Sequence, residues 1–332
     1  MLLAVTRLTL QLLDVFASAS VLQSVACVAT FTFTFFSLTS PKRAEGMATF
    51  SRNHAAQRVL ASDLSRYGFD ICHSFRPQWY NDSVVADGVS ILPPLPTHAA
   101  PQPSQTPTTT TAFLVGNTKR MWPLFLNWIE KRRKLEDEDS IVKNDPLDTY
   151  AKESIEKVVE ETAARHFVVG DHNETTPGAS SSYDIFWSFD TRRDRLISMQ
   201  RIAAVSGLCH LDEASNMAIH PLFGPWLSFR AVILFHSGDM TNNGDGDLSA
   251  LPAPDPIPSL LTPEEEANAR AFVQKAFDKN TPKDDDASIR RGWVVKCLIA
   301  SRDSAALGRE EHRFSDSQLM YHYTKDAKYL QN

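Results

Sequence analysis

Residues 219–230 combine residue types that would bind an anion at the start of a buried strand. A His-Pro turn and a Phe-Gly pair lead to Trp226, and Arg230 then precedes the apolar run 231–235. The pattern predicts a tight turn that feeds a core strand. Arginine stays protonated and offers five donors in a planar fork, so Arg230 needs an anionic partner there. That partner is either a nearby Asp or Glu or an anionic ligand, and the local sequence favours the ion pair.

The order of motifs along the chain resembles the CblC family, the cyanocobalamin reductases and alkylcobalamin dealkylases that process vitamin B12. The run from His220 to Trp226, followed by Arg230, is similar to the family's signature. Several blocks in one order make chance similarity a poor explanation. The further blocks, which span residues 65–323, are Tyr67-Gly68-Phe69-Asp70, Trp79-Tyr80-Asn81, Leu92-Pro93-Pro94-Leu95-Pro96, Thr111-Ala112-Phe113-Leu114-Val115, Asp145-Pro146-Leu147-Asp148 and Arg313-Phe314-Ser315-Asp316-Ser317-Gln318.

The resemblance implies an intracellular cobalamin-processing enzyme with an α+β fold, a flavin-reductase or nitroreductase-like mixed sheet flanked by helices. Its reactions would be reductive removal of cyanide from cyanocobalamin, with reduced FMN or FAD fed by NADPH, and glutathione-dependent dealkylation of alkylcobalamins. The chain has no Asp-x-His-x-x-Gly run, so cobalamin would bind base-off without a protein histidine as lower ligand. The corrin carries its own cobalt, and we expect no metal site made of protein ligands.

Two arginines are the catalytic candidates that the resemblance implies. Arg230 matches the motif arginine, and Arg302 matches a second one at a slightly longer spacing. Forked arginines are natural receptors for the two carboxylates of glutathione. Arg302 also stands beside Asp303, and an internal ion pair between these two is an equally good interpretation. A third family arginine would fall near Lys328 or Tyr329, so that contact is changed or lost.

The cobalamin cleft needs aromatic walls and polar donors, and several residues of the matching blocks could supply them. Plain core packing is the alternative explanation for most of the aromatic ones. Trp79 and Tyr80 lie beside Asn81 in a Pro-bounded segment that we expect to be a loop, which makes them the better cleft candidates. The cofactor-binding candidates are Trp79, Tyr80, Asn216, His220, Phe223, Gly224, Trp226 and Phe314.

The chain departs from the family at positions that bear on the ligand. Ala204 stands where the family has a histidine in a helix, and Asn216 stands where it has a glycine. His210 either takes over part of the lost histidine's role or is a surface or capping group. These changes keep two other functions open: a non-catalytic carrier that hands cobalamin to a B12-trafficking adaptor protein, and a flavin reductase acting on another substrate.

Composition limits the class of protein. The 332 residues carry a net charge of −6 without an extended basic block, which argues against nucleic acid as the main partner. The four cysteines lie far apart and form no Cys-x-x-Cys pair, so neither a zinc site nor a disulfide framework is indicated. A reducing, cytoplasmic location is the simplest inference. The sequence leaves open whether the protein forms a homodimer.

Residues 1–46 stay outside the family resemblance. The stretch 15–38 has no charged residue and is long enough to span a bilayer, but it is diluted by Ser, Thr and Gln. We favour translation from Met47 or a removed presequence, which would be mitochondrial, over a membrane anchor. Residues 47–332 are then the cobalamin-processing domain, with insertions near 97–110, 131–144, 237–259 and 280–288.

Periodicity predicts the main elements of this domain. Apolar spacing indicates helices, alternation indicates strands, and Thr262-Pro263 is a typical helix start. Asp148 is expected to cap the helix that follows it. The predicted helices are 53–67, 121–135, 148–166, 196–211 and one from Thr262, and the predicted strands are 166–169, 182–190 and the run after Arg230.

Overall fold

The computed structural model describes residues 54–84, 92, 111–135, 137, 141, 145–166, 183–235, 252–278 and 287–331. Residues 1–46, the insertion at 97–110, most of the predicted loop 237–259 and the Pro-rich block after Leu92 lie outside the described residues. Within the described chain, no helix combines the length and the apolar character needed to cross a membrane.

Helices and strands alternate irregularly along the chain. Short 3₁₀ turns occupy Arg193–Arg195 and Ala327–Leu330. The helices are α1 His54–Ser65, α2 Pro77–Val84, α3 Met121–Arg133, α4 Pro146–His166, α5 Met199–Val205, α6 Pro263–Ala276, α7 Ala287–Asp303, α8 Arg309–His312 and α9 Asp316–Thr324. The strands are β1 Ile71–Phe75, β2 Thr111–Asn117, β3 Tyr183–Trp187, β4 His210–Asp212, β5 Met217–Ile219 and β6 Ser228–Phe235.

Four strands form the central sheet in the order β1-β2-β6-β3, and β4 pairs with β5 in a separate ribbon. Every pairing is antiparallel. The α+β class is therefore confirmed, while the prediction of a mixed sheet is wrong for the described strands. The likeness to flavin reductases and nitroreductases stays a prediction.

The sheet separates two apolar cores because successive side chains of a strand point to opposite faces. On one face, residues such as Phe113 and Ile233 pack against α1, α3 and α4. On the other face, residues such as Leu114 and Val232 pack against α2 and α5. Strand β6 is buried along nearly its whole length, which confirms the predicted core strand and places its first residues at the edge of both cores.

A β-bulge interrupts the pairing of β2 with β6 where the site begins. Val115 pairs with Ala231 and Gly116 pairs with Phe229, which leaves Arg230 without an opposite residue on β2. An extra residue of this kind bends its strand and redirects a side chain. A Cβ on Gly116 would lie 2.8 Å from the carbonyl oxygen of Ser228, so the close approach of the two strands here requires glycine.

Several predicted boundaries are wrong for identifiable reasons. Helix α4 starts at Pro146, and Asp145 rather than Asp148 caps it, since Asp145 Oδ1 accepts a hydrogen bond from the Leu147 amide at 3.0 Å. Within the predicted helix 196–211 only α5, residues Met199–Val205, is helical, because the chain turns at Gly207, whose φ is +71°. Of the predicted strand 166–169, His166 is the last residue of α4 and the rest lies outside the described residues.

Other predictions are confirmed. Thr262 and Glu265 form a reciprocal capping box at the start of α6. Strand β3 lies within the predicted 182–190, and α1 and α3 lie within their predicted ranges. Helix α3 continues into the basic run expected to begin an insertion at 131–144, and Arg132 there pairs with Glu153 at 2.9 Å.

Candidate functional site

A cavity of about 150 Å³ lies where the first residues of β6 meet β5 and the helices α6, α7 and α9. The cavity opens into a cleft, and the space of both together, which includes adjoining open solvent, is about 1210 Å³. Three of the predicted site residues line it: Asn216, Arg230 and Arg302. Serines 215, 228 and 301, together with His322 and Tyr323, add further polar groups. The described lining residues include no Asp or Glu, so the cavity is cationic.

Arg230 enters the cavity from the bulge of β6. Its side chain is only 4% exposed, and its Nε donates a 2.7 Å hydrogen bond to Oδ1 of Asn117. Burial lowers the pKa of Arg230, while the nearby carboxylates of Asp148 and Asp145 act in the opposite direction. The predicted ion pair is absent, because no carboxylate of the described residues forms a salt bridge with Arg230. Its partner is a neutral amide, which leaves the charge of the guanidinium uncompensated by direct contact.

A series of hydrogen bonds that begins at Asp70, in the block Tyr67-Gly68-Phe69-Asp70, holds Asn117 in place. Asp70 accepts hydrogen bonds from the amide and hydroxyl of Thr118, at 2.8 and 2.6 Å. The Asn117 side chain is fully buried and donates to the Thr118 carbonyl at 2.9 Å. The block that ends at Asp70 therefore acts on the site indirectly, by fixing the residue that orients Arg230.

Arg302 comes from the last turn of α7 and reaches the same cavity. Its Nη1 is buried and has no hydrogen-bond partner. Its guanidinium carbon lies 5.8 and 5.9 Å from the ring centres of Phe314 and Tyr323. Asp303, its neighbour in sequence, instead binds Arg313 in a bidentate pair, at 2.7 and 3.1 Å. The alternative that Arg302 and Asp303 form an internal pair is therefore wrong.

His322 is a lining residue that the sequence analysis missed. Its Nδ1 is buried without a hydrogen-bond partner, and its ring meets Tyr323 edge to face at 4.8 Å. Burial, followed by the charges of Arg302, Lys325 and Arg230, lowers the pKa of His322 well below its usual value. The imidazole is therefore neutral at physiological pH. Its position on α9, directly after the last matching motif block, was the signal that could have identified it.

A polar network around Asp145 acts electrostatically on Arg230. Lys325 contacts Oδ2 of Asp145 at 2.6 Å, and Tyr321 donates to Oδ1 of the same carboxylate at 3.0 Å. Burial disfavours ionisation of Asp145, but Lys325 and these hydrogen bonds outweigh it and hold its pKa below the usual value. Burial raises the pKa of Asp148 to about 6. The carboxylates of Asp145 and Asp148 act on Arg230 electrostatically, and neither residue lines the cavity.

The turn 220–224 serves packing rather than the cavity. His220 and Gly224 form a β-bridge, and Nδ1 of His220 accepts the amides of Leu222 and Phe223 at 3.0 and 3.3 Å. Burial lowers the pKa of His220 to about 4, with a smaller effect of neighbouring histidines. Gly224 has φ +58°, and a Cβ there would lie 2.0 Å from the carbonyl oxygen of Leu307. The predicted turn is confirmed, and none of His220, Phe223 and Gly224 lines the cavity.

The predicted aromatic candidates lie behind the cavity wall. Trp226 and Phe314 are buried and meet at 6.3 Å in an edge-on contact, in one cluster with Tyr323. Trp79 and Tyr80 are not on a loop: they belong to α2 and pack into the core that α2 and α5 form on one face of the sheet, without lining the cavity. Tyr80 accepts a 3.0 Å hydrogen bond from the Ser198 amide at the start of α5, so it supports the helix whose first residues, Met199 and Gln200, line the cavity.

The thiols of the three described cysteines are unsuited to nucleophilic chemistry. Burial raises the pKa of Cys72 and of Cys209 to about 12, and it also raises that of Cys297. A thiolate is the reactive form of cysteine, so these three side chains are inert at neutral pH. The described residues contain no cluster of His, Cys, Asp or Glu that could hold a metal ion.

Comparison with known proteins connects this geometry to a fold. Neither protein-family models nor curated protein sequences match the chain. The crystal structure of a B12-trafficking protein CblC from C. elegans, a human MMACHC homologue, matches it with a TM-score of 0.54 and 17% sequence identity. The match covers 83% of this chain and 94% of that chain. The chain has the CblC fold.

The CblC fold makes the departures from the family's motifs interpretable. Asn216 takes a glycine-like backbone conformation with φ +54°, which asparagine tolerates better than most residues. The backbone of this cavity-lining residue therefore has a conformation that glycine also adopts. His210 lies on β4 with Nδ1 3.1 Å from the Ile257 carbonyl oxygen, and it does not line the cavity. It holds the segment after residue 252, and a share of the role of the histidine lost at Ala204 stays a prediction.

The position expected for a third arginine lies apart from the cavity. Lys328 pairs with Asp326 at 2.7 Å and is 63% exposed, while Tyr329 packs against the core next to α1 and α4. Neither residue lines the cavity. Among the described residues, the arginines and lysines that line the cavity are therefore Arg230 and Arg302.

Proposed function

We propose that this protein processes cobalamin, with glutathione as the thiol that removes alkyl groups and reduced flavin as the source of electrons that expels cyanide. The observation that carries the proposal is the pair of arginines in one cavity of a chain with the CblC fold. One of them, Arg302, has a buried nitrogen without a partner, and no described acidic side chain lines the cavity. Such a pair is suited to a ligand with carboxylates.

In dealkylation the glutathione thiolate would attack the alkyl carbon bound to cobalt. A sulfur–carbon bond forms, the cobalt–carbon bond breaks, and its electron pair stays on cobalt. The protein's part is to position the thiol, because its own described cysteines are held as inert thiols. Arg230 and Arg302 would anchor the peptide by charge-assisted hydrogen bonds, each contributing about 1.5–3 kcal/mol.

The open cleft beside the cavity would receive the corrin, bound base-off. The cavity of about 150 Å³ is smaller than the roughly 300–1,000 Å³ of pockets that enclose a whole small ligand, so it suits one end of the thiol peptide. The lining also includes the apolar side chains of Leu227, Phe229 and Phe277, which would suit contact with a flat ring system. Reduced FMN or FAD, replenished by NADPH, would supply the electrons for decyanation. The flavin-reductase or nitroreductase-like interpretation of the fold belongs to this branch.

A non-catalytic cobalamin carrier is the second candidate, and one observation favours it. Lys328 and Tyr329, at the position of the third family arginine, lie away from the cavity. Weaker anchoring of glutathione would leave cobalamin bound but not dealkylated, to be passed to an adaptor protein. In either role we propose a cytoplasmic location, with a mitochondrial one as the alternative if residues 1–46 are a presequence.

The test is a visible absorption titration of the full chain with methylcobalamin, followed by glutathione. The proposal predicts a shift to the base-off spectrum and then loss of the alkyl form only after glutathione is added. A spectral shift without reaction would favour the carrier. If the absorption spectrum of methylcobalamin does not shift, the protein does not bind cobalamin, and its likeness to CblC is limited to the fold. Cyanocobalamin with reduced flavin, in a parallel sample, tests the decyanation branch separately.

A further inference from the structure

The polar groups of the cavity are matched to one kind of anion. Three buried polar atoms of its wall have no hydrogen-bond partner: Nη1 of Arg302, Nδ1 of His322 and Oγ of Ser228. Buried polar atoms are normally paired, and an unmade hydrogen bond costs about 1–3 kcal/mol. Their residues line one cavity together with Arg230, so a carboxylate bound there would offer oxygen atoms to these groups.

The same cavity disfavours a positively charged ligand group. The described lining residues include no carboxylate, and the charges of Arg302, Lys325 and Arg230 all act on His322. The nearest acids that act on Arg230 are Asp145 and Asp148. Asp145 is engaged by Lys325 and Tyr321, and neither acid lines the cavity. An ammonium group placed there would meet cations and find no counterion.

Glutathione has two chemically different ends. The glycyl end carries a carboxylate alone, whereas the glutamyl end carries a carboxylate with an ammonium on the same carbon. We infer that the cavity binds the glycyl carboxylate, that the glutamyl end lies toward the open cleft, and that His322 is a further contact of the bound carboxylate. This inference rests on the proposed function, because it assigns an orientation to the thiol peptide used there.

The experiment compares ligands that differ at one end only. Glutathione, its glycyl amide and N-acetylcysteinylglycine are tested as thiols in methylcobalamin dealkylation by the full chain. Binding of S-methylglutathione and its glycyl amide is measured by calorimetry, free of thiol chemistry. Loss of the glycyl charge should weaken binding and raise KM about ten- to a hundredfold. Loss of the glutamyl end should change KM by less than about fivefold, as expected for solvent-exposed charges.

Substitutions at His322 separate a ligand contact from a packing role. His322→Gln keeps a neutral hydrogen-bonding group, and His322→Phe removes it while filling the space. The ratio of affinities for S-methylglutathione and its amide should stay near the wild-type value in the first variant and fall severalfold in the second. A packing role would change the stability of both variants without changing that ratio.

The outcomes distinguish this inference from the function on which it rests. If the glutamyl end proves essential and the glycyl amide binds as well as the acid, the orientation is wrong while glutathione-dependent processing stands. If neither glutathione nor S-methylglutathione binds, both fail. If Arg302→Ala weakens cobalamin binding but not binding of cobinamide, which lacks the nucleotide phosphate, the anion in the cavity is that phosphate and the inference is overturned.

Discussion

Two arginines approach the Trp226–Phe314 pair, and their surroundings differ. Arg313 lies 5.6 Å from the Trp226 ring centre and is bound by the carboxylates of Asp303 and Asp316. Arg302 lies 5.8 Å from the Phe314 ring centre and forms no ion pair within the described part of the chain. The first is a structural cation whose charge is neutralised. The second faces a cavity with its charge available, which is the arrangement expected of a ligand-binding arginine.

The same contrast extends to the elements around each arginine. The side of Arg313 includes the turn 220–224, where Phe223 meets His312 edge to face at 5.0 Å and backbones touch at Gly224. The side of Arg302 includes the bulge at Arg230 and the unpartnered atoms of Ser228 and His322. Unpartnered polar atoms occur on both sides, since Nε1 of Trp226 and Nε2 of His312 also lack hydrogen-bond partners among the described residues. Close backbone packing and a neutralised arginine mark the structural side, and an arginine without a counterion in the described chain, beside a cavity, marks the candidate site.

The largest effect is expected from Arg230→Ala. Loss of a buried guanidinium that makes charge-assisted hydrogen bonds should lower kcat/KM for glutathione in dealkylation by about a hundredfold or more. Arg230→Lys keeps the charge but not the fork, so it should lose roughly tenfold. Arg132→Ala, at a helix end that pairs with Glu153, is the matched control. Equal glutathione kinetics in Arg230→Ala and wild type would place the ligand elsewhere.

Gly224→Ala should destabilise the turn 220–224, on the structural side, without altering ligand affinity. The new Cβ would lie 2.0 Å from a backbone oxygen at a φ of +58°, so we expect destabilisation by at least about 3 kcal/mol. Urea unfolding measures it. Gly292→Ala, where no atom lies within 4 Å of the new Cβ in helix α7, should instead stabilise by up to about 1 kcal/mol. Similar unfolding midpoints for the two variants would contradict the packing assigned to Gly224.

Asn117→Ala tests whether Arg230 needs its positioning partner. The substitution leaves Nε of Arg230 buried without an acceptor, so KM for glutathione should rise about tenfold while cobalamin binding is kept. A structural role alone would lower stability and leave KM unchanged. Asn117→Asp would pair with Arg230 and neutralise it, so it should weaken glutathione binding while preserving or raising the melting temperature.

The smallest predicted effect is a pH dependence of stability that arises at His220. Its pKa of about 4 in the folded protein lies below the ordinary value of 6.5, so the unfolded chain binds a proton more readily. The stabilisation is complete above pH 6.5 and is lost as pH falls from 6.5 toward 4. His220→Asn can accept the same amides without titrating, so its melting temperature should fall less over this range. If the melting temperatures of the wild type and His220→Asn change in parallel with pH, Nδ1 of His220 does not hold the turn.

Local chemistry made much of the framework predictable. Thr262 with Glu265 three residues later specifies a helix start, and alternation specifies β3, because both signals act within a few residues. The capping residue of α4 could also have been predicted correctly from the sequence. Proline favours the first position of a helix, so Pro146 identifies Asp145 rather than Asp148 as the capping residue.

The site itself depends on contacts that local sequence does not encode. Asn117 and Arg230 are 113 positions apart and meet only because β2 and β6 pair with a bulge. The suspected pair of Arg302 with Asp303 failed for a general reason, since adjacent residues of a helix do not face each other. The orientations of Trp79 and Tyr80 depend on packing between α2, α5 and the sheet, which a Pro-bounded segment does not reveal.

The most direct test of the account measures glutathione dependence in Arg302→Ala and Arg313→Ala side by side. Both variants remove an arginine beside the same aromatic pair, and the rate of methylcobalamin dealkylation is followed against glutathione concentration together with unfolding in urea. The account predicts that Arg302→Ala raises KM about tenfold or more with little loss of stability, and that Arg313→Ala lowers stability by about 1–3 kcal/mol with KM unchanged. An unchanged KM in Arg302→Ala, or equal KM values in the two variants, would contradict it.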